Sequence, residues 1–217
     1  MKTKLFPVAP RGFTRVELVV VIAVALILAA LLGSALNNAK HKADRIRCTN
    51  NLKQIGLSFR IFATDQADSF PMQQMTNQSG APAYLSSGDA YRYFLSMSNE
   101  LGNPLILRCP ADRTRTTAKN WATFRNENLS YFVSLDAQET EPQMMLSGDS
   151  NLTTNGVPVK PGLLLLTTHM NLGWSAERHN GNVNNVVLGD GSVLQSSSAR
   201  LREQNRNLAI TNRLLIP

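Results

Sequence analysis

The chain has 217 residues, enough for one domain of ordinary size or one domain with an appendage, and its formal net charge is +7. Three of its 22 lysines and arginines fall within the first twelve residues, and aromatic residues make up only 6%. The basic balance is thus not a patch interleaved with stacking rings, which argues against a primary nucleic-acid role.

In chain order, the basic preface "MKTKLFPVAPRG" is followed by an apolar run in which Glu17 is the only charged side chain between Val16 and Leu36. As a helix, at a rise of about 1.5 Å per residue, that run spans about 30 Å, one hydrocarbon core. A secretory signal peptide cut near Gly33 and Ala35 is the rival reading, but an apolar signal core is shorter and has no reason to carry an acid. Helical patterning also continues past the run. Ala39, Ala43 and Ile46 are followed by Cys48, Leu52, Ile55, Phe59 and Phe62 at alternating spacings of four and three. Lys42, Arg45, Asn50, Lys53 and Arg60 occupy the other face, and no proline intervenes before Pro71. The pattern predicts one helix of about fifty residues, membrane-spanning over 13–36 and amphipathic over 37–70.

Beyond Pro71, residues 72–90 are rich in Gln, Ser, Gly, Asn and Ala and predict an irregular segment. "AYRYFLSMSNELG" predicts a short helix ended by Gly102. "PLILRCPAD" holds a short apolar run stopped by Pro110, and "SYFVSLDA", "PQMMLSGDS", "PGLLLLTTHM" and "NNVVLGDGSVLQ" predict strands. The last carries a hairpin signal at Asp190-Gly191. "SARLREQNRNL" predicts a terminal helix with Ser198 as its cap. The fold class is α+β: a long N-terminal helix on a small antiparallel sheet, with the head at 71–217.

The stretch Gly12-Phe13-Thr14-Arg15-Val16-Glu17-Leu18 before an apolar helix resembles the N-terminal signature of type IV prepilins and type II secretion pseudopilins. The resemblance implies a pilin-like fold and a leader, residues 1–12, removed by a prepilin peptidase between Gly12 and Phe13. It implies N-methylation of Phe13, and an assembly role for Glu17 as partner of a neighbouring subunit's terminal amine. It further implies a bacterial inner-membrane protein, single-pass with its head in the periplasm or outside, that joins other pilin or pseudopilin subunits on an inner-membrane assembly platform. Arg15 departs from the signature, where an aliphatic residue is usual. "ERHNGNVNNVVLGDGSV" resembles the H-X9-DG segment of pilin-like relatives, although ten residues separate His179 from Asp190. "GDSNLT", Gly148–Thr153, resembles a segment that precedes it in those relatives.

The residues themselves predict little chemistry. Ser, His and Asp are present without a nucleophile-elbow motif, so no enzyme is expected. His41, His169 and His179 do not form a zinc spacing. Calcium takes six to eight oxygens and no Asp-x-Asp loop occurs, so no cofactor is expected, with calcium at Asp149 and Asp190 beside His179 as the alternative. Cys48 and Cys109, both beyond the membrane in this reading, are expected to pair as a disulfide, with buried free thiols as the alternative. The functional expectation is a self-assembling pilin-like subunit. The rivals are a membrane-anchored binding protein that does not polymerise and a conventionally secreted protein.

Overall fold

The computed structural model describes residues 12–76, 87–179, 183–207 and 212–217, residues 32–35 by their backbone alone. Apart from Gly12, the expected leader lies outside the described residues. Helix α1, Arg15–Asp65, runs for 51 residues without interruption. It passes through two compact units, Met1–Lys40 and His41–Pro217.

In the first unit the start of α1 is fixed by a reciprocal cap. The Glu17 backbone N–H donates to Thr14 Oγ1 at 3.3 Å, and the Thr14 backbone N–H donates to Glu17 Oε2 at 2.8 Å. The Thr14 hydroxyl also donates to the same oxygen at 2.8 Å. Thr-x-x-Glu is a capping box, and it satisfies amides that the first helical turn leaves unpaired. An 18-residue window of α1 has a mean hydropathy of 2.9 and none of it is buried. The helix is long and apolar enough to serve as a single membrane-spanning segment.

In the second unit the same helix packs on a sheet. Cys48, Leu52, Ile55 and Phe59 are fully buried and Phe62 nearly so. Ala43 and Ile46 are exposed, so the packed stripe starts at Cys48, later than the periodicity predicts. The helix also stops at Asp65, short of the expected residue 70. Ala67 and Asp68 take left-handed φ values of 50° and 57°, and the Asp68 amide donates back to Ala63 O at 2.9 Å. No glycine signals this turn, which is why only Pro71 marks it in the sequence.

After α2 (Pro71–Thr76), the predicted helix before Gly102 is split into α3 (Tyr91–Ser96) and α4 (Ser98–Leu101). Gly102 ends it at φ 67°. "PLIL" forms a 3-10 turn, Pro104–Leu107, capped by the Asn103 side chain. Among the described residues nine strands follow: β1 (Tyr131–Ser134), β2 (Met145–Asp149), β3 (Leu152–Thr154), β4 (Val157–Pro158), β5 (Gly162–Leu166), β6 (Leu172–Trp174), β7 (Val183–Leu188), β8 (Val193–Ser197) and β9 (Asn212–Ile216). Helix α5, Ser198–Asn207, lies between β8 and β9. Its first-turn amide at Arg200 is accepted by Ser197 Oγ, while Ser198 Oγ accepts the Trp174 amide, so the cap falls one residue before the predicted one.

The main sheet is antiparallel with order β5-β9-β1-β2-β7-β8, and a three-stranded sheet has order β4-β3-β6. Tyr131, Val133 and Val187 join one core with the α1 stripe. Phe132, Val186 and Leu214 join a second core with Leu152, Trp174 and Leu201. Both faces of the central strands are therefore covered, and β1 and β2 read as continuous buried runs instead of alternating ones. The result is an α+β fold, a long N-terminal helix against an antiparallel sheet, consistent with a pilin-like architecture.

Candidate functional site

The candidate residues fall in two places, one in each unit. At the N-terminus, among the described residues and apart from its chain neighbours, nothing lies within 4 Å of where a Gly12 Cβ would stand, and Phe13 is 78% exposed. A peptidase acting between them would meet no tertiary contact among the described residues. Glu17 is engaged by Thr14 of its own chain through the capping box. That local bond gives the carboxylate a reason to sit at the head of an apolar run, one that the residues "TRVE" signal and that the sequence expectation overlooked.

The second place is buried where α1 meets the sheet. Cys48 is presented by the packed stripe of α1, Asp149 by the end of β2, and Cys109 by the loop after the 3-10 turn. His179 stands before β7 with a left-handed φ of 49°. One ligand atom from each of these four residues lies within 4.8 Å of every other, so the cluster could coordinate a metal ion. Cys48 Sγ donates to Asp149 Oδ1 at 3.3 Å, Cys109 Sγ lies 3.3 Å from His179 Nε2, and that nitrogen is 3.8 Å from Asp149 Oδ2. The Tyr131 hydroxyl is 3.4 Å from Cys48 Sγ. Both thiols and the side chains of Asp149 and His179 are fully buried.

The surroundings fix this geometry. The Asn185 backbone amide and side-chain amide donate to Asp149 Oδ2 at 2.8 and 3.1 Å. Arg178, next to His179, pairs with buried Asp112 and donates to Ser130 O at 2.8 Å and Ser150 Oγ at 3.3 Å. One guanidinium thus ties the neighbours of Tyr131, Asp149 and His179 together. Asp112 is anchored in turn by the hydroxyls of Thr114 and Ser130. The electrostatics separate the two thiols. Burial pushes Cys48 well above its ordinary value. Cys109 is lowered to about 7 by its contact with Cys48, against burial, and His179 adds to the fall. Burial lowers His179, but Cys109 and Asp149 more than offset it and its net shift is upward.

The structure brings the two cysteines together, as a disulfide requires, yet holds them as free thiols. Cys48 Sγ also contacts Asp149 and Cys109 Sγ also contacts His179, which is the buried free-thiol arrangement set beside the expected disulfide. Asp149 belongs to the cluster, whereas Asp190 does not: it is exposed and its Oδ1 accepts the Ser192 amide in the β7–β8 turn. Within the H-X9-DG-like segment, residues 180–182 lie outside the described residues. The arrangement does not form a nucleophile–base–acid relay. Cys109 and Asp149 both address His179 Nε2, while Nδ1 has no hydrogen-bond partner among the described residues. No family model matches the chain, and no curated protein or solved structure matches it.

Proposed function

We propose that the chain is a structural, non-enzymatic subunit of a pilin-like fibre, a type IV pilus or a type II secretion pseudopilus, matured by a prepilin peptidase. The observation that carries this reading is the first unit of α1. Val16, Leu26 and Leu31 are 73%, 66% and 64% exposed on a helix that starts at Arg15 behind the Thr14–Glu17 capping box. Such a surface is stable only in lipid or against other apolar helices, and a pilin uses both in succession. After cleavage, the new amine of Phe13 places a cation four residues from Glu17, and in a fibre core each charge needs a partner. Glu17 would then exchange its local Thr14 bonds for the amine of a neighbouring subunit, fixing axial register. Anchoring in the bacterial inner membrane with the head outside follows from the same reading.

The test is fibre shearing. Wild-type protein is expected in sheared surface fibres or in a cross-linkable periplasmic polymer. Glu17→Leu should insert and be cleaved yet assemble poorly, because an unpaired charge in a desolvated pair costs ~3–5 kcal/mol. Protein that stays monomeric in the membrane under all conditions would instead indicate an anchored binding protein. Full assembly of Glu17→Leu would show that the carboxylate is not paired in the fibre.

A further inference from the structure

We propose that Cys48, Cys109, His179 and Asp149 form a closed, structural zinc site that clasps helix α1 to the sheet. Two sulfurs, one imidazole nitrogen and one carboxylate oxygen are the donor types zinc takes, four at a time. Calcium, which takes oxygens only, does not suit two thiols. The geometry is more specific than the donor types. Zinc–sulfur bonds of about 2.3 Å and zinc–nitrogen or zinc–oxygen bonds of about 2.0–2.1 Å, set tetrahedrally, separate the ligand atoms by about 3.3–3.8 Å. Cys48 Sγ stands 3.3 Å from Asp149 Oδ1 and Cys109 Sγ 3.3 Å from His179 Nε2, two separations of that length, and no pair of ligand atoms in the cluster exceeds 4.8 Å. The four ligand atoms thus already converge on one point that a single ion can occupy with small side-chain shifts.

Burial favours an ion as well. A carboxylate, an imidazole and two thiols share a site with no exposed side-chain surface, bridged largely by weak sulfur contacts. A divalent cation satisfies all four at once, whereas a dry cluster of this kind is costly without one. Asn185 occupies one carboxylate oxygen of Asp149 and leaves Oδ1 facing Cys48, the orientation that outer partners give a ligating carboxylate. Four protein ligands leave no open position, so the site is structural and not catalytic. On binding, Zn²⁺ forms bonds to two thiolates, the neutral imidazole and the carboxylate; two thiol protons are released to solvent and no electron is transferred. Because Cys48 sits on α1 and the other three sit on the sheet and its loops, the ion joins elements that are far apart in sequence. This inference is independent of the reading of the N-terminus.

The test uses the full chain purified from membranes in detergent without added metal or chelator. Elemental analysis is expected to find about one zinc per chain, and X-ray absorption is expected to find two sulfurs at about 2.3 Å with two lighter ligands at about 2.0–2.1 Å. Replacement by cobalt should give a thiolate charge-transfer band. Chelation should lower the melting temperature of the unsubstituted protein, and Cys48→Ser with Cys109→Ser should abolish zinc binding. The spectroscopic arm needs no variant to fold. Protein isolated without stoichiometric metal, a Cys48–Cys109 disulfide in the native chain, a metal shell lacking sulfur, or calcium in place of zinc would each overturn the proposal.

Discussion

At the scale of single residues, Asp112 and Arg178 hold the head together around the cysteine–histidine cluster. Their side chains are 1% and 7% exposed, so neither charge can be left to water. Asp112→Asn strands the guanidinium beside Ser130 and Ser150, and breaking one side of a buried pair costs ~3–5 kcal/mol. Denaturant unfolding should register that loss. Burial alone would raise the Asp112 carboxyl, but Arg178 and the Thr114 and Ser130 hydroxyls outweigh it and the net shift is below its ordinary value of 3.8. A carboxyl whose pKa falls on folding contributes stability that is complete above the unfolded value and lost as pH falls through the folded one. Asp112→Asn should therefore flatten the acid limb of the stability curve below about pH 4. An unchanged acid limb would show that Asp112 is not the group that titrates there.

At the scale of elements, the contact between α1 and the β7–β8 hairpin depends on having no side chain at Gly56. A Cβ there would stand 2.8 Å from Val187 Cγ1 and 2.9 Å from the carbonyl oxygen of Gly191. Gly191 has φ 80° in the turn, so its carbonyl cannot withdraw without disturbing the hairpin. Elsewhere in a helix, Gly→Ala gains about 1 kcal/mol of propensity. Here overpacking, about 1–3 kcal/mol, opposes that gain and wins because the clash is with backbone. Gly56→Ala should lower the melting temperature of the head, and a raised one would contradict the close approach. The Asp190-Gly191 hairpin was legible from its dipeptide, but its partner Gly56 was not. It interrupts no pattern in α1 and acquires meaning only from the hairpin laid against it.

At the scale of the whole molecule, periodicity revealed the long helix and the buried stripe from Cys48 to Phe62, because one face repeats at spacings of three and four over several turns. Strands β3, β4 and β6 were not legible, being two or three residues long, and neither was β9, a short run at the chain's end that pairs with both β1 and β5. The cysteine–histidine cluster was hidden for a different reason. Its ligands come from a helix, a loop, a strand and a turn, at residues 48, 109, 149 and 179, and no local spacing encodes such a site. The prepilin-like stretch Gly12–Leu18, by contrast, is contiguous, and the proposed maturation rests on it. Gly12→Leu should block cleavage and leave full-length, unmethylated precursor in the membrane. The most direct measurement is the intact mass and N-terminal sequence of the mature wild-type chain taken from its native envelope. The mature chain is expected to start at N-methylated Phe13 and to retain the whole apolar helix; a chain that still starts at Met1, or one cut near Ser34–Leu36, would rule out prepilin-type maturation.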